Sequence, residues 1–440
     1  NSLDAAITQL MADYQATAVT VGILKDDRVV YQRGFGWQDY PGGDFTPLSD
    51  GALMRVASMT TPFTAAAIVQ LINAGVLNDS DKVFAYGQAP GVGILPASTY
   101  APYNGTLGDT RLKDITVEDL LLHRGGFNQN FNGDPQFNAV AIANTLGVSS
   151  PPGQVNTVKY MLAQPLAYTP GSSAGLCQGP LCYSNFGFAL LGLIIEEVTG
   201  MDQVDYIHDN ILSQWGGVAD ELQAGRTFKV DQHPSEPYYH DTNDVVNVYD
   251  PSGPLVKSPY GGFDHESFAG HGDLISNNVQ LLNLLDWYRV STNYNLNPTV
   301  IPIGSPLPGG FLFGSASHSG GIPGSFVVAS QSGDLAIAVI TNQEIVFGDF
   351  ASNVHQAALD WVSSGNPWPS TYATDVWADF TQGSGNGKFT NPENNIPQAL
   401  GRVQTRGTLK LKPATTNWNG TITQAVVLSA PLGPVTIGQN

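Results

Sequence analysis

Residues 58–75 read SMTTPFTAAAIVQLINAG and predict a buried helix. The stretch begins with residues that can cap a helix, continues with alanines and apolar side chains on several faces, and stops at Gly75. Ser58 at its start has two interpretations. A serine here is usually an N-cap. It can also be a nucleophile, because the N–H groups and the positive end of a helix favour an oxyanion.

The segments near the two ends of the chain each contain one helical pattern and two strand patterns. LDAAITQLMADYQ predicts an opening helix at 3–15, and VTVGILKDDRVVYQRGFGW predicts two strands around an Asp26-Asp27 turn. Near the other end, GSFVVASQSGDLAIAVITN predicts two strands across a turn at 332–334, and NVHQAALDWVSS predicts a closing amphipathic helix. Between them the pattern predicts helices at 116–123, near 155–163, at 185–200 and at 277–290, with a loop-rich stretch at 205–270.

This order predicts an α+β fold, with one antiparallel sheet assembled from both chain ends and a helical insertion. After Pro367 the composition shifts to Thr, Asn, Gly and Val with short alternating stretches. We therefore expect two units. The first is a large domain at 1–367, and the second is a small β-rich domain or partial domain at 368–440.

The composition excludes several classes of protein. The 440 residues carry 18 Lys plus Arg against 37 Asp plus Glu, a formal charge of −19, which repels phosphate backbones and anionic lipid. The sequence holds no apolar run of the 18 or more residues that a membrane-spanning helix needs. We therefore expect neither nucleic acid nor a membrane as a partner. The oligomeric state cannot be predicted.

Several features favour a secreted protein. The chain starts at Asn1 without a methionine, as a mature protein does after signal cleavage. Three Asn-x-Ser/Thr triplets, at Asn78, Asn104 and Asn419, match glycosylation acceptors. The two cysteines, Cys177 and Cys182 in CQGPLC, flank a tight turn that a disulfide could close, and two free buried thiols are the alternative.

Two later segments add candidate site residues. YSNFGFALLG places Tyr183 and Asn185 immediately before an apolar helix, and HSGGIPGSF places His318 before a glycine-rich turn. With SMTT (58–61), YSN (183–185) and HSG (318–320), residues 5–365 resemble the serine β-lactamase and penicillin-binding-protein superfamily, most closely its class C-like esterases and D-aminopeptidases. The resemblance implies a β-lactamase/transpeptidase-like fold.

The resemblance also implies roles for these residues. Ser58 would attack an ester, amide or lactam-like carbonyl, and Tyr183 would shuttle the proton. His318 stands where many relatives carry a lysine. Asn185, Ser319 and Gly320 would position the substrate, and the N–H groups of Ser58 and Gly321 would form the oxyanion hole. His123 in LLLHRGG lies where the family has a structural turn, so a stabilising role is expected.

One position departs from the family pattern. Thr61 stands where the family has a lysine that accepts the serine proton and holds the tyrosine near its anionic form. Three explanations are open. His318 could act as the base, the pocket could bind ligands without forming an acyl-enzyme, or Thr61 could be an introduced substitution. We therefore predict a serine hydrolase-like protein for small molecules, impaired or specialised at its base, or alternatively a non-hydrolytic binding protein or repurposed scaffold. No cofactor or metal is implied.

Overall fold

The computed structural model describes residues 2–40, 45–128, 133–172, 183–288, 316–343, 349–366 and 373–438. Its helices are α1 Ser2–Tyr14, α2 Thr60–Asn73, α3 Val117–Leu121, α4 Ala139–Leu146, α5 Gly153–Met161, α6 Asn185–Thr199, α7 Gln203–Asn210, α8 Asn278–Trp287, α9 Asp349–Ser363 and α10 Ile396–Arg402. Its strands are β1 Ala18–Lys25, β2 Arg28–Gly36, β3 Met54–Arg55, β4 Leu222–Ala224, β5 Asp244–Val245, β6 Val256–Lys257, β7 Leu274–Ser276, β8 Ala316–Ile322, β9 Ser325–Ser332, β10 Leu335–Thr341, β11 Ala373–Ala378, β12 Val403–Leu411, β13 Thr415–Thr416, β14 Val427–Ser429 and β15 Thr436–Ile437.

The main sheet is antiparallel and has the strand order β2-β1-β10-β9-β8. Strand β1 near the chain start pairs with β10, with Val21 opposite Val339, so both ends of the large domain build one sheet as predicted. The turn between β1 and β2 uses Asp26 and Asp27, both at positive φ. Such a conformation suits a two-residue hairpin, because its twist matches that of the strands.

Helices cover both faces of this sheet. Helices α1 and α9 pack on one face and α8 lies against the other. At Gly22 in β1, a Cβ atom would lie 2.7 Å from Cβ of Asn278, so only glycine allows α8 to approach this closely. Helices α2 and α6 pack together in the larger apolar cluster, which also contains the core of the insertion.

Three short helices are absent from the sequence-based prediction. Helix α7 at Gln203–Asn210 runs into the segment expected to be loop-rich, α4 at Ala139–Leu146 lies between the helices predicted at 116–123 and near 155–163, and α10 at Ile396–Arg402 lies in the part expected to be β-rich. The Oδ1 atom of Asp202 caps α7 by accepting from the N–H of Val204 at 2.8 Å. Helix α7 was missed because the spacing of its apolar residues is only weakly helical, although its capping residue Asp202 is visible in the sequence. Within the described ranges, no helix is long and apolar enough to cross a membrane.

Residues 373–438 form a β-rich unit with its own apolar cluster. Strands β11, β12 and β14 pair in parallel, and α10 connects the first two. This unit docks beside β2, where the Thr374 hydroxyl donates to the Val29 carbonyl at 3.0 Å and the Gln404 amide donates to the Val30 carbonyl at 2.9 Å. The boundary at residue 367 stays a prediction.

Candidate active site

Ser58 lies in a tight turn of 3-10 helix, Ala57–Met59, that leads into α2. Its neighbours are buried and Ser58 itself is half-buried. Ala57 has a φ of 46°, a strained backbone conformation for a residue with a side chain. The N-cap positions are Val56 for this turn and Met59 for α2, so Ser58 caps neither helix and the N-cap interpretation is wrong. A strained residue next to a serine that caps no helix is typical of a functional position.

Thr61 faces the same side of the helix start, one turn after Ser58. Its side chain is fully buried, and its hydroxyl donates to the Ser58 carbonyl at 2.7 Å. A threonine hydroxyl committed to a backbone carbonyl holds no charge and accepts no proton at neutral pH. Thr61 therefore stabilises the turn and cannot replace a lysine base.

Tyr183 reaches this pair from the start of α6. Ser184 caps that helix, because its hydroxyl accepts from the N–H of Gly187 at 3.0 Å, and this places Tyr183 just before the first turn. Burial raises the pKa of Tyr183 to about 12, and hydrogen bonds with the side chains of Ser58 and Thr61 oppose that shift only in part. At neutral pH Tyr183 is a phenol, not a phenolate.

His318 on β8 contacts the nucleophile through the backbone. Its Nε2 atom lies 3.1 Å from the Ser58 carbonyl oxygen. A carbonyl only accepts, so Nε2 carries the proton and the basic lone pair of the ring is on Nδ1. Burial lowers the pKa of His318 to about 4, although the Ser58 carbonyl opposes this shift. The nitrogen nearest Ser58 is therefore a donor, which argues against His318 as the base for the Ser58 hydroxyl.

The glycines after His318 allow the edge strand to approach Ser58. A Cβ atom at Gly320 would lie 2.6 Å from the Ser58 backbone nitrogen. The pair Ile322–Ser325 closes the turn between β8 and β9, and hydrogen-bonded pairs alternate from there. The N–H of Gly321 thus points away from β9, toward the edge that β8 forms among the described strands of the main sheet. Gly321 and Ser319 are both exposed.

His123 belongs to the same cluster, which the sequence analysis did not recognise. Its Nδ1 atom accepts from the N–H of Ser184 at 3.1 Å, and its ring centroid lies 4.6 Å from that of Tyr183. Burial lowers its pKa to about 3, and the neighbouring His318 adds to the shift. The expected stabilising role stays a prediction, and the structure adds that His123 contacts Tyr183. The residue has a φ of 52°, but no sequence signal marks its contact with Tyr183.

Asn185 is held by a second residue that the sequence analysis missed. Its Nδ2 atom donates to Oδ2 of Asp134 at 2.6 Å, which orients the amide. Burial raises the pKa of Asp134, and the Asn185 hydrogen bond opposes the shift. Asp134 also caps the turn Pro135–Phe137 by accepting from the N–H of Gln136 at 3.1 Å. The Asp-Pro pair was a visible capping signal, but its contact with Asn185 depends on the tertiary fold.

The side chains of Tyr183, His123 and His318 are therefore all uncharged near neutral pH. Tyr183 is a phenol, and both histidines are neutral imidazoles. These groups can donate hydrogen bonds to a polarised carbonyl or a leaving atom, but they include no strong base. Cys177 and Cys182 lie outside the described residues. No group of three or more His, Cys, Asp or Glu side chains in the described part of the chain could hold a metal ion.

Comparison with known proteins identifies the family. The model of the family described as Beta-lactamase matches residues 3–360. A putative D-alanyl-D-alanine carboxypeptidase of Escherichia coli O157:H7 is 28% identical over 302 residues, 65% of this chain and 62% of the relative. Its counterpart in E. coli strain K12 is 30% identical over 222 residues, 49% of this chain and 45% of the relative. The chain thus spans about half to three-fifths of these relatives.

Solved structures share the fold. The octameric penicillin-binding protein homologue from Pyrococcus abyssi aligns with a TM-score of 0.56 at 21% identity, over 82% of this chain and 77% of that one. D-amino acid amidase from Ochrobactrum anthropi SV3, complexed with L-phenylalanine, also aligns with a TM-score of 0.56, at 16% identity, over 83% of this chain and 100% of that one. The family match over most of the chain, the three motifs around Ser58 and the shared fold agree: this chain belongs to the beta-lactamase family of serine hydrolases.

Proposed function

We propose that the protein is a serine hydrolase for small esters, amides or lactam-like compounds, working through an acyl-enzyme at Ser58. The observation that carries this proposal is the convergence of Tyr183 and His318 on Ser58 from segments far apart in the chain. The relatives named as carboxypeptidases and amidases support the same substrate class.

The reaction proposed here uses neutral groups. Ser58 Oγ bonds to the acyl carbon while its proton moves to the Tyr183 oxygen and the Tyr183 proton moves to the leaving atom. The tetrahedral intermediate then collapses, and the bond between the acyl carbon and the protonated leaving atom breaks. The N–H groups of Ser58 and Gly321 donate to the oxyanion of the tetrahedral intermediate. Water then releases the acyl group by the reverse proton movement. No net charge has to develop on Tyr183, which suits its raised pKa.

We propose that this hydrolase is slow at neutral pH. A phenol with a pKa of about 12 is five units from ionisation at pH 7, which corresponds to about 7 kcal/mol against the phenolate as base. General-base catalysis contributes about 10²–10⁴ in rate. The second candidate is a binding protein that never forms an acyl-enzyme. The absence of any strong base among Thr61, Tyr183 and His318 favours it.

Fluorophosphonate labelling separates these two functions. We expect labelling of the wild-type protein, with the phosphonyl group on Ser58 by mass spectrometry, and none in Ser58→Ala. Ser332→Ala removes an exposed hydroxyl from the far end of β9 and serves as the control that keeps labelling. A wild-type protein that folds, binds small ligands and is never labelled would support the binding protein instead.

The pH dependence of hydrolysis reports which group acts as base. Between pH 7 and 10 the phenolate fraction of Tyr183 rises about tenfold per unit, because this range lies below its pKa of about 12. His318, with a pKa of about 4, stays neutral throughout. Because the proposed route uses the neutral phenol, we expect the Ser58-dependent rate on a stable amide to stay level between pH 7 and 10 and Tyr183→Phe to abolish it. A climb of about tenfold per pH unit would indicate the phenolate as base instead, and an inflection between pH 6 and 7 would indicate an imidazole base.

We also propose that the protein is a secreted glycoprotein. Asn78, Asn104 and Asn419 are all exposed, so each acceptor is accessible to a glycosyltransferase. A disulfide between Cys177 and Cys182 would close the segment directly before Tyr183. Mass spectrometry of the protein from its natural source tests both modifications.

A further inference from the structure

The turn Ala57–Met59, which carries Ser58, and strand β8 must keep a fixed position relative to each other. They come from opposite halves of the chain, and the backbone of Gly320 leaves no room for a side chain against the Ser58 nitrogen. Small shifts matter here, because misplacing a reacting group by about 1 Å can reduce a rate about 100-fold. The contacts that fix the position of β8 relative to Ser58 therefore affect the rate of acyl transfer.

One buried hydroxyl joins the two segments. Ser325 is the first residue of β9, directly after the turn from β8, and it is fully buried. Its Oγ atom donates to the Arg55 carbonyl at 2.7 Å, three residues before Ser58. The same Oγ lies 3.2 Å from the Thr341 carbonyl on β10. Ser325 thus connects the segment that leads to Ser58 with strand β10 of the main sheet.

Arg55 is itself a rigid anchor. Its guanidinium is buried and donates to the Pro259 carbonyl at 3.0 Å and the Arg226 carbonyl at 2.7 Å. It also stacks 4.5 Å from the centroid of the Tyr239 ring, and its backbone N–H donates to the Tyr239 hydroxyl at 2.8 Å. The Arg55 carbonyl therefore has a fixed position, and the hydrogen bond from Ser325 to this carbonyl fixes the start of β9 relative to it.

We propose that Ser325 is a positioning residue, which aligns the oxyanion-binding edge of β8 with Ser58 through its hydrogen bond to the Arg55 carbonyl. This inference rests on the proposed function, because it assigns a contribution to the same acyl transfer. Ser325 touches no substrate. Its loss should slow the covalent step and leave initial binding of the reagent unchanged.

The test compares Ser325→Cys and Ser325→Ala with Ser330→Ala. Cysteine keeps the volume of the side chain but is a weak donor. Ser330 lies on the same strand, and its hydroxyl bonds to Nε2 of His355 at 2.6 Å. Saturation kinetics with a fluorophosphonate should show the maximal labelling rate reduced about 10- to 100-fold in both Ser325 variants. The half-saturation concentration should stay within about twofold, and Ser330→Ala should match the wild type.

Hydrogen exchange provides a readout that needs no activity. We expect faster exchange of the Val56 and Met59 amides, which are hydrogen-bonded on either side of Ser58, in Ser325→Cys than in the wild type or Ser330→Ala. Wild-type labelling rates in Ser325→Cys, an equal loss in Ser330→Ala, or unchanged exchange at both amides would each overturn the proposal. If the wild type is never labelled, the proposed function fails, and the exchange data alone decide whether Ser325 positions these groups.

Discussion

Thr61→Lys raises Ser58-dependent ester hydrolysis at pH 7 by two or more orders of magnitude. The Thr61 side chain contributes to the electrostatic environment of Tyr183 and lies one helical turn from Ser58, so a lysine at this position would carry its ammonium group toward both residues. A neighbouring cation lowers the pKa of a phenol by about 1–3 units. A lysine also supplies a general base, which contributes about 10²–10⁴ in rate. Initial rates on a chromogenic ester measure the gain.

Two controls show whether the gain comes from the base. Thr61→Met adds length without charge and should not raise the rate. Ser58→Ala combined with Thr61→Lys should remove the activity, because hydrolysis then has no acyl acceptor. If Thr61→Lys folds and shows no gain, the pocket differs from its hydrolytic relatives in more than its base, and the binding function becomes the better proposal.

Lys410→Met lowers the free energy of unfolding by about 3–5 kcal/mol. Lys410 in β12 is 6% exposed and lies 2.8 Å from Glu221 and 3.3 Å from Asp375. Burial alone would lower the pKa of Lys410, but the two carboxylates raise it above its ordinary value. Removing the ammonium leaves both carboxylates without their cation, one of them in the large domain. Urea unfolding at pH 7 measures the loss.

Lys388→Met is the matched control for this prediction. Lys388 also joins the C-terminal unit to the large domain, through Asp27 at 2.8 Å, but the two side chains are 34% and 39% exposed. Solvent screens such a pair, so its loss should change the free energy of unfolding by less than about 1 kcal/mol. A Lys410→Met variant as stable as Lys388→Met would show that the buried cluster of Lys410, Glu221 and Asp375 does not stabilise the protein. The larger effect would show that the buried charges of Lys410, Glu221 and Asp375 stabilise the contact between the C-terminal unit and the large domain.

The local elements were readable from the sequence because their causes are local. The hairpin at Asp26-Asp27, the helix after Ser58 and the helix ended by Gly200 each follow from turn chemistry, apolar spacing and a left-handed glycine cap. The pairing of β1 with β10 followed from the order of the elements. The motif residues Ser58, Tyr183 and His318 were also readable, because the family pattern names them by their neighbours in the chain.

The chemical state of the site depended on contacts between distant segments. The protonated nitrogen of His318 is set by the Ser58 carbonyl, 260 residues away. The contact between the tilted rings of His123 and Tyr183 and the hydrogen bond from Asn185 to Asp134 join loops and helices that share no sequence pattern. Burial, which only packing creates, then moves the pKa values of Tyr183 and both histidines away from neutrality. Sequence alone identified Ser58, Tyr183 and His318, whereas tertiary structure added His123 and Asp134 and decided the protonation of the site, because desolvation and hydrogen-bond partners are properties of the assembled fold.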